Sequence, residues 1–181
     1  MTDMDAFRIL GFPRELDLDP EAVRTRFQEI SLTRHPDRGG NAVDYSEVVE
    51  AAAILGNNAR RWSHWAELGG WKKGGKIVEM DDAIAAEFNR VGELLARARD
   101  VVQAKPKAET AIAKAMVERK AMLLVGEVSA KLSEISAKEN AILALGKDSI
   151  SPSEAGTLSG QLAALARWTR ELREAVAMLA G

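Results

Sequence analysis

The residues best placed to do chemistry in this chain are His35 and Asp37, which flank Pro36. A histidine beside a carboxylate can support acid–base catalysis, but no serine or cysteine nucleophile pattern accompanies this pair. Pro36 fixes its own φ and offers no N–H, so it stiffens the segment. Asp37 is then held out as an ionised carboxylate that can accept hydrogen bonds from an arginine of a partner protein. The tripeptide therefore predicts a binding corner rather than a catalytic centre.

Two amphipathic segments flank this corner and are expected to hold it in place. In residues 20–34 the apolar side chains recur at helical spacing. The residue before a proline is pushed out of the helical region, so this helix should end at His35. The glycines at 39–40 let the chain turn back, and a second helical pattern begins near residue 44. The alternative is an ordinary corner between two helices in which Asp37 is only a local cap.

Short helices are expected on both sides of these two segments. Residues 5–11 form a helical pattern in which Gly11 acts as the C-terminal stop. Residues 59–68 form a fourth helical pattern, which carries Arg61 and Trp62. We expect the two long helices to pack as an antiparallel hairpin, with the short helices closing the core. The predicted fold class is all-α.

The first 68 residues resemble the J-domain family of co-chaperones. The residues that fall where this family has its pattern are Phe7, Leu10, Gly11, Phe27, Ile30, the His35-Pro36-Asp37 signature, Leu55 and Arg61. The resemblance implies a partner, a heat-shock ATPase chaperone of the DnaK class. In the family the signature loop docks on the chaperone's nucleotide-binding domain near its interdomain linker and stimulates ATP hydrolysis.

The resemblance also implies roles for individual residues. Asp37 would pair with an arginine of the chaperone, while His35 and Pro36 would hold the loop in shape. A basic face would steer the encounter with an acidic chaperone surface. The members of this basic face are Arg24, Arg26, Arg34 and Arg38. Gln28 and Glu29 stand where many family members carry basic residues, which keeps open an alternative of a different class, a helical interaction or scaffolding protein that stimulates no chaperone.

A narrower resemblance is to the HscB type, the J-proteins of iron–sulfur cluster assembly. It rests on Gly11-Phe12-Pro13, on Leu18-Asp19 and on the run Arg26-Phe27-Gln28-Glu29-Ile30 before the signature. The length also suits this type, which joins a J-domain through a short linker to one small helical domain. The resemblance implies that the client is the iron–sulfur cluster scaffold protein. A generic J-protein with another client is the alternative.

Glycines and lysines mark a boundary after the J-domain pattern. They predict a J-domain over residues 1–68, a linker over residues 69–79 and a client- or scaffold-binding domain over residues 80–181. Trp71 is unusual in a linker, and we expect it to pack against one of the domains.

The last domain is predicted to be a three-helix bundle. Helical patterns span about residues 81–103 and 106–145, and a third begins at the capping sequence Ser151-Pro152-Ser153-Glu154. The apolar stripe of the first pattern comprises Ile84, Phe88, Val91, Leu95, Ala98 and Val102. A client-binding patch would consist of apolar residues that lie off the core stripes. The candidates for it are Met80, Leu94 and Met178.

Composition argues against several other classes of protein. The chain has 181 residues, of which 46% are hydrophobic, enough for one or two packed domains. It has no cysteine, and no histidine or carboxylate pair has a recognised ligand spacing, so we predict no disulfide, no metal site and no cofactor. A net charge of −2 argues against a nucleic-acid partner. No signal peptide or membrane-spanning stretch is visible, so we expect a soluble cytoplasmic protein. Because no nucleophile or metal pattern accompanies the histidines, we expect that it is not an enzyme.

Overall fold

The computed structural model describes residues 4–34, 41–72, 82–147 and 150–181. Within these ranges the chain forms seven α-helices, one short 3-10 turn and no strand. The helices are α1 (Ala6–Leu10), α2 (Pro20–Arg34), α3 (Ala42–Leu55), α4 (Asn58–Leu68), α5 (Asp82–Ala104), α6 (Ala111–Leu145) and α7 (Pro152–Ala180). The prediction of an all-α fold is confirmed.

Several helix ends are set by local hydrogen bonds, of which the sequence predicts the capping box of α7. Asp5 caps α1 by accepting a bond from the Arg8 amide at 3.2 Å, and Gly11 ends that helix in the left-handed conformation with φ of 75°. Ser151 and Glu154 form the predicted capping box of α7. The Ser151 amide donates to Glu154 Oε2 at 3.0 Å, and the Glu154 amide donates to Ser151 Oγ at 3.3 Å. These bonds satisfy amides that a helix N-terminus leaves unpaired.

α6 begins later than the sequence predicts. Pro106 lies in the 3-10 turn Lys105–Lys107, and α6 starts at Ala111 rather than at residue 106. The Thr110 hydroxyl accepts a hydrogen bond from the Ala113 amide at 3.1 Å, which provides the missing N-terminal partner. A proline can open either kind of helix, so the capping side chain four residues later decides where α6 starts.

The chain divides into two compact units. The first unit contains Met1–Gly75 and Ala141–Ala163, and the second unit contains Lys76–Asn140 and Ala164–Gly181. The corner between α6 and α7 therefore belongs with the N-terminal helices, although the sequence analysis placed it in the bundle. The domain boundaries drawn from the sequence stay a prediction.

The first core of the first unit lies among α1, α2 and α3. α3 packs against both other helices, and its residues Val48 and Leu55 are fully buried. Phe7 and Leu10 of α1 are fully buried too. The other buried members are Ala6, Leu18, Val23, Ile30, Ala51 and Ile54. The members of this core nearest to the signature are Ile30 of α2 and Val48 of α3.

A second core of the first unit joins α4 to the corner between α6 and α7. Its buried members are Leu16, Trp62, Ala66, Ala155 and Leu162. Trp71 packs against this core, so close to α7 that a Cβ on Gly156 would lie 2.7 Å from the indole Nε1 and closer still to two ring carbons. The prediction that Trp71 packs against folded structure is confirmed, and its partner is the first turns of α7.

The second unit is built from α5, most of α6 and the later part of α7. Its buried apolar residues are Val91, Ala98, Ala108, Ala121, Leu124, Val128, Ile135, Leu165, Trp168, Leu172, Ala175 and Leu179. Phe88 was predicted to lie on the core stripe of α5, and this prediction is wrong because its side chain is 54% exposed. The neighbouring Glu87 is buried instead.

Two lysines of α6 make the burial of Glu87 favourable. Lys131 Nζ donates to Glu87 Oε1 at 3.2 Å, and Lys138 Nζ donates to Oε2 at 2.9 Å. Lys131 also pairs with Glu134 on its own helix. Burial alone would raise the pKa of Glu87, but the hydrogen bonds from Lys138 and Lys131 outweigh it and lower that pKa. The carboxylate therefore stays ionised and links α5 to α6.

Candidate functional site

The signature falls between two helix ends that the structure defines. α2 ends at Arg34, and α3 begins at Ala42 behind the N-cap residue Asn41. Asn41 Oδ1 accepts a hydrogen bond from the Val43 amide at 2.9 Å, which sets the direction in which the chain enters α3. The predicted site residues that lie outside the described residues here are His35, Pro36, Asp37 and Arg38. Their roles stay predictions.

Arg24, on the described part of α2, belongs to the predicted basic face. It forms an exposed ion pair with Glu21, one turn earlier on the same helix. The hydrogen bond from Arg24 lowers the pKa of Glu21, and the same bond raises the pKa of Arg24. Exposed pairs of this kind contribute little to stability and are easily exchanged. The guanidinium of Arg24 can therefore turn to an acidic partner.

Arg26 makes more contacts with neighbouring segments than Arg24 does. Its Nε donates to the carbonyl of Leu10, the last residue of α1, at 3.1 Å, and its Nη1 pairs with Glu29 at 3.0 Å. A change at Arg26 would therefore disturb the attachment of α1 as well as the surface charge. Arg34 is described only as the last residue of α2, so the role of its side chain stays a prediction.

Arg61 holds the helices together from the inside. Its side chain is buried and donates three hydrogen bonds, to the carbonyl of Leu16 at 3.0 Å, to that of Leu55 at 2.6 Å and to Asn58 Oδ1 at 2.8 Å. These bonds join the loop before α2 to the end of α3 and the start of α4. The J-domain pattern identified Arg61, and the structure explains its role as one of positioning.

His64 attaches α1 to α4 from the inside, a role that the sequence analysis missed. The buried ring accepts a hydrogen bond at Nε2 from the Ala6 amide at 3.1 Å and stacks on Phe7 with a centroid distance of 6.0 Å. Burial lowers the pKa of His64, so the ring stays neutral and keeps its acceptor at neutral pH. No local sequence signal pairs residues 6 and 64, because the bond depends on how α1 packs on α4.

An open groove of about 440 Å³ lies between α5 and α7 in the second unit. Two exposed apolar side chains face it, Phe88 from α5 and Met178 from α7, which are 54% and 50% exposed. Charged side chains of both signs lie around them, namely Arg99, Arg167, Glu171 and Glu174. Of the client-binding candidates from the sequence, only Met178 lines this groove. Leu94 is half-buried elsewhere on α5, and Met80 lies outside the described residues.

Two other kinds of site can be tested on the described residues. No three or more histidine, cysteine, aspartate or glutamate side chains among them form a group that could hold a metal ion. None of the described helices is both long enough and apolar enough to cross a membrane.

Known proteins resemble parts of this sequence. No protein-family model matches the chain. It is 33% identical over 64 residues to the chaperone protein DnaJ of Campylobacter hominis, a match that covers 33% of this chain and 17% of that protein. It is 38% identical over 45 residues to the co-chaperone protein HscB of Proteus mirabilis, which covers 25% of this chain and 26% of that protein. The matched region thus spans only a small part of these curated relatives.

Solved structures resemble nearly the whole chain. Chaperone HscB from Vibrio cholerae matches with a TM-score of 0.59 and 17% identity, over 94% of this chain and 96% of that one. The resemblance to HscB-type J-domain co-chaperones is confirmed. Human co-chaperone protein HscB matches with a TM-score of 0.60 and 17% identity, over 96% of this chain and 82% of the human one. At this identity the two HscB structures establish a shared fold.

Proposed function

We propose that this protein is a J-domain co-chaperone that stimulates ATP hydrolysis by a DnaK-class heat-shock chaperone and brings a client to it. The observation that carries the proposal is that α2 ends at Arg34 and the capped α3 begins at Ala42 in an HscB-like fold, so the sequence places His35-Pro36-Asp37 between these two helices. In this role Asp37 pairs with an arginine of the chaperone, while His35 and Pro36 shape the loop. The ATP is hydrolysed by the partner, and this chain catalyses no reaction.

The decisive variant is Asp37→Asn, measured by single-turnover ATP hydrolysis with the organism's DnaK-class chaperones. We expect the variant to lose stimulation while its free energy of unfolding stays that of the wild type, because an amide cannot form the ion pair. Asp44→Asn is the matched control, since it removes an exposed carboxylate from the first turn of α3. Full stimulation by Asp37→Asn would refute the proposal.

The basic face is best tested at Arg24. Arg24→Ala should raise the co-chaperone concentration needed for half-maximal stimulation and leave the plateau unchanged, because a steering charge acts on the encounter. The effect should shrink at high salt. Arg60→Ala is the control, because Arg60 is likewise exposed and paired with a carboxylate, Glu50, but lies on α4. If both changes raise the half-maximal concentration equally, α2 has no specific role in the encounter.

The proposed client is the iron–sulfur cluster scaffold protein, and the proposed client site is the groove between α5 and α7. The likeness to HscB supports the kind of client. The groove supports the site, because Phe88 and Met178 offer exposed apolar surface framed by charged residues, as binding hot spots do. Met80 and Leu94 stay client-binding candidates from the sequence alone.

The client site is tested by retention of the scaffold protein on the immobilised full chain. The full chain is needed because Ala141–Ala163 packs in the first unit, so the bundle residues alone would leave apolar surface uncovered. Phe88→Glu and Met178→Glu should each lose the scaffold, whereas Val49→Glu, an exposed change on α3, should keep it. Stimulation without any scaffold binding would favour the generic J-protein with another client.

The remaining alternative is a helical interaction protein that stimulates no chaperone. Glu29 supports it, because this carboxylate pairs with Arg26 and lowers the positive charge on α2. Scaffold binding by a protein that stimulates none of the chaperones would establish this alternative and exclude the co-chaperone role.

A further inference from the structure

A cleft of about 450 Å³ lies within the first unit, lined by α3, α4 and the N-terminal part of α7. Neither proposed role uses it. Its walls are mainly apolar and include Ile54 of α3, Trp71 after the end of α4 and Ala163 of α7. Sites for small molecules have volumes of about 300–1,000 Å³ and combine apolar walls with a few polar groups. The cleft therefore has the size and the lining of a small-molecule site.

His64 of α4 supplies a hydrogen-bond donor to this cleft. The residue lines the cleft, is only 8% exposed and accepts a hydrogen bond at Nε2 from the Ala6 amide at 3.1 Å. Burial lowers the pKa of His64, so the ring is neutral and carries its one proton on Nδ1. The two ring nitrogens point in nearly opposite directions, so the Nδ1–H group points away from α1. No described residue accepts a hydrogen bond from it, which leaves this donor for a ligand.

The charged side chains of the cleft are bonded to neighbours within the chain. Arg60 Nη2 donates to Glu50 Oε1 at 2.6 Å, and the Ser63 hydroxyl donates to Glu67 Oε1 at 2.9 Å. One arginine and two carboxylates leave a net negative charge at the cleft, which disfavours an anionic ligand. The uncharged donor of His64 instead suits a neutral acceptor such as a carbonyl oxygen.

Small residues of α7 leave room for a ligand beside Trp71. Trp71 covers the backbone at Gly156, but Gly160, one turn later, has no described atom within 4 Å of the position that a Cβ would take. Ser159 lies between the two glycines and donates its hydroxyl to the Gly156 carbonyl at 2.7 Å, so it does not compete with His64 as a donor. The helix backbone at Gly160 therefore forms an open part of the cleft.

We propose that this cleft binds an uncharged, largely apolar small molecule that presents one hydrogen-bond acceptor to Nδ1 of His64. The apolar walls contact the body of the molecule, and His64 fixes its orientation through the acceptor. The site shares no residue with the signature or with the groove between α5 and α7. Binding can therefore be tested apart from the chaperone and client roles.

The nitrogen NMR signals of the His64 ring test the donor before any ligand is added. At neutral pH the ring should be uncharged and should carry its proton on Nδ1, because Nε2 accepts the bond from the Ala6 amide. A proton on Nε2 would leave no donor for the acceptor of a ligand and would overturn the proposal.

Acetophenone is a suitable probe, because it joins one carbonyl oxygen to an apolar ring. Titration of the full chain should shift the Nδ1 signal of His64 saturably, with a dissociation constant on the order of 1 mM. Toluene, which lacks the oxygen, should bind about fivefold more weakly, the factor that one neutral hydrogen bond contributes. Benzoate should not bind, because its carboxylate meets the negative charge of Glu50 and Glu67.

Two results of these titrations would contradict the proposal. The first is the absence of a saturable shift with acetophenone. The second is binding of toluene or benzoate as tight as that of acetophenone, because the site would then select neither for an acceptor nor for an uncharged molecule.

Gly160→Leu tests the place of binding, because the new side chain would fill the open part of the cleft. It should weaken acetophenone binding by about tenfold or more. Gly126→Leu is the matched control, since Gly126 also lies inside a helix with no described atom within 4 Å of its Cβ position, but on α6 in the second unit. Urea denaturation must show that both variants remain folded. Equal affinities of Gly160→Leu and the wild type would exclude this cleft as the site.

Discussion

The two units bury polar side chains in different ways. In the first unit Arg61 and His64 bond to backbone groups of neighbouring segments. In the second unit Glu87 and Lys131 bond to each other across two long helices. Short helices and their loops leave many backbone groups unpaired, so buried side chains find partners there. Long helices satisfy their own backbone, so a buried charge in the second unit needs an opposite charge.

The surfaces of the two units differ as well. On α2 in the first unit the exposed charges are paired along the helix, as in Arg24 with Glu21. In the second unit large apolar side chains such as Phe88 and Leu123 are exposed. The first unit exposes apolar side chains as well, such as Val43 at 67%, so the contrast concerns α2 against the faces of α5 and α6 rather than whole units. Under the proposed function, the exchangeable charges of α2 would suit a brief encounter with a chaperone, and the exposed apolar side chain of Phe88 would suit the holding of a client.

The largest effect is expected from removing the polar centre of the first unit. Arg61→Leu should lower the free energy of unfolding by about 4 kcal/mol, because it leaves buried carbonyls of two segments without donors. Urea denaturation measures this change. Arg60→Leu, an exposed change next to it, should cost about 0.5 kcal/mol or less. Similar losses from the two variants would contradict the central role given to Arg61.

Removing the buried charge of the second unit should cost less stability, and a second substitution should restore most of it. Glu87→Ala should cost about 3 kcal/mol, because it leaves Lys131 buried with only the exposed Glu134 as partner. Replacing Glu87 and Lys131 together by methionine should recover most of that loss, since an apolar pair needs no hydrogen bonds. If the double variant, again measured in urea, is no more stable than Glu87→Ala, the two charges do not act as a pair.

The assignment of the α6–α7 corner to the first unit can be sharpened with two glycines of α7. Gly156→Ala should cost about 1.5 kcal/mol, because its Cβ would collide with the indole of Trp71. The Cβ of Gly160→Ala would meet no atom of the described residues within 4 Å, so this change should be neutral or stabilising by up to about 1 kcal/mol. In a Trp71→Ala background the cost of Gly156→Ala should disappear. A cost that persists there would show that Trp71 is not the obstacle.

The smallest effect concerns the pH dependence of the first unit. Burial lowers the folded-state pKa of His64 below its usual value of 6.5, so the unfolded chain binds the proton more readily. The stability that neutral His64 contributes is therefore complete above about pH 6.5 and decreases as the pH falls through the lowered folded-state pKa. His64→Gln, which keeps an acceptor but does not titrate, should flatten this part of the profile. Identical pH profiles of the free energy of unfolding for the wild type and His64→Gln, both measured in urea, would contradict the role given to His64.

Local signals account for the parts of the fold that could be predicted. α2 spans the predicted residues because Asp19 accepts a bond from the Glu21 amide at 3.0 Å at one end, and His35-Pro36 follows at the other. The capping box of α7 is equally local. These signals act between residues a few positions apart, so they do not depend on the tertiary structure around them.

Periodicity could not decide which residue of α5 is buried. Phe88 fits the apolar stripe better than Glu87 does by residue type, yet Glu87 is buried because Lys131 and Lys138 of α6 surround its carboxylate. The groove with Phe88 and Met178 likewise combines side chains of two helices, α5 and α7. Such a site has no signal in one segment, because its chemistry comes from two helices far apart in the chain.

The sequence by itself determined the helices, their caps, the J-domain pattern and the location of the signature, because each depends on neighbouring residues. Only the tertiary structure decided that the α6–α7 corner packs with Trp62 and Trp71, that Arg61 and His64 bond to distant backbone, and that Glu87 rather than Phe88 is buried on α5. An apolar stripe shows which face of a helix is to be buried, but it does not identify the part of the protein that packs against that face.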